Sequence, residues 1–273
     1  MNSKGAIKLL TATAVASAIG MVGSTAMASN VAGIETQANN STASITSDPV
    51  IEAILSQPGT FDGKTYTSWS YLVQDGSGSL DIFYSSTASS YVPVVGNAVS
   101  ISGNFSPFDG IPEVDNSTAN PLSISTVSTG NAVAPSLATI PQVNVTSETA
   151  NDIINTPYAG YYVQLDNVTI SGAGGLFPTA GANASYTLTD TSNNSMVMFF
   201  WTTSYSTDGA MGGTTIPSGE VDVDGFVDYF AGSSESEFVA TSITPVPEPG
   251  SLALYGVGSV LAGLFSYRFR KQA

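Results

Sequence analysis

Residues Ser70-Tyr71-Leu72-Val73-Gln74-Asp75-Gly76-Ser77-Gly78-Ser79-Leu80-Asp81-Ile82-Phe83-Tyr84 contain two short strand-like runs around a turn. Leu80, Ile82 and Tyr84 alternate with Asp81 and Phe83, which is the period of a strand with one face buried. Asp75-Gly76-Ser77-Gly78 supplies the residues that a hairpin turn needs. The spacing predicts an antiparallel hairpin.

The same punctuation continues downstream. Ala98-Val99-Ser100-Ile101-Ser102-Gly103-Asn104-Phe105 reads as a strand in which Gly103 marks a bulge or a close approach. Phe108-Asp109-Gly110-Ile111-Pro112 is a turn, and Leu122 to Val127 closes the unit. A second series follows: Tyr161 to Ile170, Tyr186 to Asp190, the turn Thr191-Ser192-Asn193-Asn194, Met196 to Phe200, Val221 to Val227, and Phe238 to Ile243. Leu72 to Asp75 aligns with Thr187 to Asp190, and Gly96 to Phe105 with Gly219 to Val227 after a one-residue slip. The body therefore reads as a loose duplication: a first unit over 48–131, a linker over 132–145 carrying Pro135 and Pro141, and a second unit over 146–244. Residues 29–47 are small, polar and aperiodic and read as a flexible leader. Asp48 is placed to cap a short helix from Pro49 to Ser56, with Val50, Ile51, Ile54 and Leu55 on one face.

Composition agrees with an all-β protein. Of 273 residues, 42% are hydrophobic and 10% aromatic, enough to bury a core, while charged residues make up only 10%. The basic side chains are Lys4, Lys8, Lys64, Arg268, Arg270 and Lys271, so the body between the ends keeps one lysine against nearly all of the Asp and Glu. Such a surface repels phosphate backbones, and no nucleic-acid partner is expected. With no Cys and no His, disulfides, thiolate nucleophiles and His-based catalysis or metal ligation are excluded. Asp75, Asp81, Asp222, Asp224 and Asp228 are the carboxylates available for glycosidase-type chemistry, but they are drawn from an abundant class, and no enzyme is expected. Asp222, Asp224 and Asp228 around Gly225 offer oxygen ligands that suit calcium, yet no EF-hand or repeat-type loop surrounds them, and no cofactor is expected.

The two ends carry a different signal. Lys4 and Lys8 precede an apolar run from Leu9 to about Val22, and Ala26-Met27-Ala28 completes a signal peptide over 1–28, with signal peptidase cutting after Ala28. At the other end Pro247-Glu248-Pro249 precedes an uncharged segment from Ser251 to Tyr267, then Arg268, Arg270 and Lys271. That segment is at the short end of membrane-spanning length, and the basic cluster would stay cytoplasmic as a stop. The tail over 245–273 resembles the PEP-CTERM sorting signal of bacterial exported proteins. The resemblance implies recognition of Pro247, Glu248 and Pro249 by an exosortase, a membrane-anchored precursor, and release to the cell surface or an extracellular polysaccharide matrix.

The body, through Gln74-Asp75-Gly76-Ser77-Gly78 and Val95-Gly96-Asn97-Ala98-Val99-Ser100-Ile101-Ser102-Gly103, resembles the small OB-like barrels of bacterial secreted proteins. It implies two such barrels in tandem, with the Gln74–Gly78 turn on the ligand side. The first unit lacks an obvious long initial strand, so a β-sandwich stands as the alternative. The expected role is non-catalytic, structural or interactive; the alternative is a glycan- or polymer-binding module using an OB-like face.

Overall fold

The computed structural model describes residues 30–61, 64–108, 110–145, 156–178, 184–200, 211–230 and 235–247. The signal-peptide segment with Ala26 and Ala28, the segment from Ser251 to Tyr267, and Glu248, Pro249, Arg268, Arg270 and Lys271 lie outside the described residues. Among the described residues no helix is long and apolar enough to cross a membrane.

The first half begins with a short helix, α1 (Val31–Glu35), then strands β1 (Ser41–Ile45), β2 (Val50–Ser56), the small hairpin β3 (Gly59–Phe61) and β4 (Lys64–Tyr66), β5 (Ser68–Gln74), β6 (Ser79–Ser85), β7 (Ala98–Phe105), β8 (Glu113–Asp115) and β9 (Ser123–Ser128). The second contains β10 (Ser136–Ala138), helix α2 (Ile140–Val143), β11 (Tyr162–Ile170), β12 (Ala184–Thr189), β13 (Ser195–Phe200), β14 (Val221–Phe230) and β15 (Glu235–Pro245).

Each half closes on itself. In the first, the path β2-β5-β6-β8-β7 returns to β2, with β6 and β8 parallel and the other pairs antiparallel. In the second, β11-β12-β13-β15-β14 returns to β11, with β13 and β15 the parallel pair. Five strands closed in this order, with third and fifth parallel, are the OB arrangement. Both halves are therefore OB-type barrels, and the sandwich alternative does not occur. The duplication is visible in the pairing: β5 and β12 hold the same place in their barrels, as do β7 and β14.

The missing initial strand of the first barrel is present in two pieces. Ser41 to Ile45 pairs with Phe105 to Ile101, and Val50 then pairs with Ala98, so β1 and β2 share the same edge of β7. The break between them lies at Asp48, whose φ of 56° is left-handed and unsuited to an N-cap. The expected helix over Pro49 to Ser56 is thus a strand. β2 carries register shifts between Ile51 and Ala53 and between Ile54 and Ser56. Two irregularities in seven residues break the period of two and bring apolar positions into helix-like spacing.

Of residues 29–47, expected as a flexible leader, the segment 30–45 forms part of the first barrel instead. Val31, Ile34, Ala43 and Ile45 are fully buried in its core. The expected linker over 132–145 is likewise structured. β10 pairs parallel with β11, and Ala138, Ile140 and Val143 join the second core. Pro141 sits in the first turn of α2, where its missing N–H leaves no bond unmade.

Gly103 and Gly225, brought together by the sequence alignment, occupy like positions on β7 and β14. A Cβ on Gly103 would lie 2.7 Å from Val114 and 2.8 Å from the Asp115 carbonyl; on Gly225 it would lie 2.2 Å from the Val239 carbonyl. Both are close approaches where one strand crosses its neighbours as the barrel closes.

Candidate functional site between the barrels

The two barrels meet along outward faces. Ala53, Leu55, Leu72 and Ile111 of the first pack on Phe226 and Val239 of the second, with Tyr162 and Phe199 at the margin. Ser79 Oγ donates to the Gly160 carbonyl at 2.7 Å, and Ala159 bridges to Val227. Gly160 has φ of 67°, and a Cβ there would lie 3.0 Å from Ile111, so glycine lets the chain pass between the barrels.

Beside this contact is a cavity of about 350 Å³. Its position follows from strand alternation. On β6, Leu80, Ile82 and Tyr84 fill the barrel, leaving Asp81 and Phe83 outward. On β14, Val223, Val227 and Tyr229 point inward, so Phe226 and Asp228 face the first barrel. The turn before β8 adds Phe108 and Ile111, and Glu113 opens that strand. Leu55, Ser56 and Ser70 complete the wall.

Three carboxylates line this space. Asp81, Glu113 and Asp228 are 8%, 8% and 9% exposed. Asp81 and Glu113 are direct neighbours in the parallel β6–β8 register, which fixes both side chains on one face. Burial pushes the Asp81 carboxyl up to about 7, against the opposing effect of Ser70 and the backbone N–H groups of Tyr71 and Ile82. Ser70 Oγ lies 3.0 Å from both Asp81 carboxylate oxygens.

The other expected acids are elsewhere. Asp75 is used in structure: it accepts from Ser77 N at 2.7 Å, Gly78 N at 3.1 Å and, across to α1, Val31 N at 3.0 Å, and from the Ser47 hydroxyl. Burial raises its carboxyl, but the hydrogen bonds from Ser47, Ser77 and Val31 outweigh that and hold it below its usual range. The Gln74–Gly78 turn, expected on a ligand side, is instead the seat of α1, with Ser77 Oγ accepting from Ala32 N at 3.2 Å. Asp222 and Asp224 are half-buried on the outer face of β14 with Asp166 on the adjoining β11; burial, then Asp222 and Asp166, raise Asp224. Asp228 stands four residues further along, roughly 13 Å by strand rise, so it does not converge with them. Among the described residues no three acidic side chains are arranged to hold a metal ion.

Glu113 was not singled out by the sequence. Its strand is three residues long, too short to show a period, and only the preceding Gly110-Ile111-Pro112 turn signals a change of direction. Glu52 was missed as well. It occupies the β2 irregularity, is 9% exposed, has Oε2 without a hydrogen-bond partner, and burial alone pushes it up to about 7.

The sorting motif begins where the barrel ends. Val246 N donates to the Glu220 carbonyl at 3.0 Å, and Pro247, next in the chain, is exposed.

Comparison with known proteins identifies the tail. Residues 245–271 match the PEP-CTERM protein-sorting motif. No curated protein matches the chain. Among solved structures, a replication protein A heterotrimer bound to ssDNA is 12% identical with a TM-score of 0.35, covering 80% of this chain and 52% of that one. A murine DNA-binding protein bound with dsDNA is 10% identical with a TM-score of 0.37, covering 78% of this chain and 98% of that one. Likeness of that size says nothing about the ligand of this chain, and the OB assignment rests on strand order. Behind a body of two OB-type barrels, the chain carries the PEP-CTERM motif of exported proteins sorted by an exosortase.

Proposed function

We propose that the chain is a non-catalytic surface module, made with a cleaved signal peptide, held in the membrane by its tail, and freed by exosortase processing near Pro247-Glu248-Pro249. Released in this way, the tandem barrels are presented at the cell surface or in an extracellular polysaccharide matrix, and the cavity between them is their interaction site. One observation carries the reading. The last barrel hydrogen bond, from Val246 to Glu220, is followed at once by exposed Pro247, so the motif leaves the folded body with no intervening structure. Prolines disfavour helix in the residues that precede them, which suits a protease substrate.

Replacing Pro247, Glu248 and Pro249 together by Ala tests it in the native host. The expected result is a folded, full-length precursor retained in the membrane fraction. Release of the variant at the wild-type level contradicts the reading.

A further inference from the structure

Glu52 puts an acid into the contact between the barrels. It is the extra residue of the first β2 irregularity: Ile51 pairs with Val73 and Ala53 with Leu72, and Glu52 between them has no partner in that ladder. Ile51 and Ile54 turn into the core of the first barrel, whereas Ala53 and Leu55 turn out onto the second. The Glu52 carboxyl lies toward the second barrel as well. Burial raises the Tyr162 phenol of β11, a hydrogen bond with Thr241 opposes this, and the charges of Asp224 and then Glu52 add to it. Glu52 is only 9% exposed, and its Oε2 has no hydrogen-bond partner.

A protonated carboxyl fits such a contact and an ionised one does not. A charged oxygen buried without a donor is costly, and water relieves that cost only where the surfaces part. The groups that face Glu52 offer no offset. Tyr162 on β11 and Asp224 on β14 are neutral or negative. Its neighbours in the first barrel, β5 and β7, contain no carboxylate and no basic side chain. On β15, Val239 packs in the contact and Thr241 bonds Tyr162, with Glu237 beyond them opposite Asp228. The acids of the cavity, Asp81, Glu113 and Asp228, add no positive charge. The apolar contact holding the barrels together is small, Ala53, Leu55, Leu72 and Ile111 against Phe226 and Val239.

We propose that Glu52 is a proton-operated latch between the barrels: they dock while it is protonated and part as it ionises, which takes apart the cavity that both barrels line. The latch stands whether or not that cavity binds anything. Burial raises the Glu52 carboxyl from 4.5 to about 7, so the docked state holds the proton more tightly than an open one. Docking is therefore strongest below pH 4.5 and weakens, by up to about tenfold per pH unit, as pH rises to about 7.

The chain has no Cys, so Ser125→Cys on the first barrel and Thr191→Cys on the second, both at exposed positions, take spin labels specifically. Double electron–electron resonance on the full chain in neutral detergent then reads the separation of the barrels. At about pH 5 one narrow distance is expected, and at about pH 8.5 a longer population at least about tenfold larger than at pH 5. Circular dichroism should be the same at both, because each barrel stays folded. Glu52→Gln should keep the narrow distance at both values; Glu52→Ala repeats the test if the glutamine variant does not fold. A wild-type distance that ignores pH overturns the latch, and so does a pH response that survives in both variants. A longer population that appears only with loss of the β signal is unfolding and overturns it too.

Discussion

The two barrels share a strand order but are secured differently, and the contrast is plainest at their equivalent turns. In the first, Asp75 closes the β5–β6 turn and reaches beyond it to the N-terminus of α1 and to Ser47. In the second, Asp190 closes the β12–β13 turn by itself: Ser192 N and Asn194 N donate to its Oδ1 at 2.9 and 2.8 Å, and Asn194 Nδ2 to its Oδ2 at 2.8 Å. One aspartate has become a long-range clasp and its counterpart has stayed a local turn residue. A duplicated fold can thus keep a residue and its local geometry while giving it a different reach.

The largest effects are expected where the barrels are most alike. Gly225→Ala drives a Cβ against backbone and should destabilise the second barrel by roughly 3 kcal/mol or more. Gly103→Ala meets the nearest backbone atom at 2.8 Å rather than 2.2 Å and should cost less, roughly 2 kcal/mol. Denaturant unfolding of each variant checks the order; equal stability to wild type at Gly225 would break the equivalence of β7 and β14.

The turn aspartates should separate the barrels. Asp75→Ala removes acceptors from α1 and from its own turn and should cost roughly 2 kcal/mol. It should also raise hydrogen exchange at Val31 and Ala32. Asp190→Ala should leave exchange in the first barrel unchanged and alter stability less. The same exchange at Val31 in both variants would show that the clasp does not hold α1.

Legibility from sequence follows the same line. The hairpin from Ser70 to Tyr84 was readable because Leu80, Ile82 and Tyr84 alternate along its second strand and Asp75-Gly76-Ser77-Gly78 marks the turn. The alignment of Gly103 with Gly225 was readable because both sit after an alternating run. β2 was misread because it does not keep the period of two of a regular strand, and Val50, Ile51, Ile54 and Leu55 fall at the spacing of a helix face. The segment 30–45 was misread because five-residue elements of small side chains carry little periodic signal, and its burial comes from packing on strands distant in sequence. The cavity could not be read at all: Asp81 and Glu113 meet only through the β6–β8 pairing, and Asp228 joins them only where the second barrel docks on the first.

A smaller effect is expected from pH. Glu52 on β2 and Glu35 on α1 are both raised from 4.5 to about 7, Glu52 by burial, and Glu35 by burial and then by nearby Asp75 against a backbone bond from Ser79. The folded state holds their protons more tightly than the unfolded state. Their contribution is therefore fully present below pH 4.5 and is lost as pH rises through about 7. The melting temperature should fall by a few degrees across that window, about 2–4 °C per kcal/mol for a protein of this size. Glu52→Gln should flatten part of the decline; an unchanged profile would place the dependence elsewhere.

The smallest expected signal is binding to single-stranded DNA. With one lysine in the body there is no cation cluster to release counterions, so no affinity should be measurable at physiological salt. A salt-sensitive micromolar affinity by fluorescence anisotropy would reverse this.

The most direct test of the whole account is the intact mass of the native surface form. It should begin after Ala28 and end near Pro247-Glu248-Pro249, so that the mature protein is the two barrels and little else. A mass that still includes Phe269-Arg270-Lys271-Gln272-Ala273 would mean that the tail is a permanent anchor and that the protein is not released by sorting.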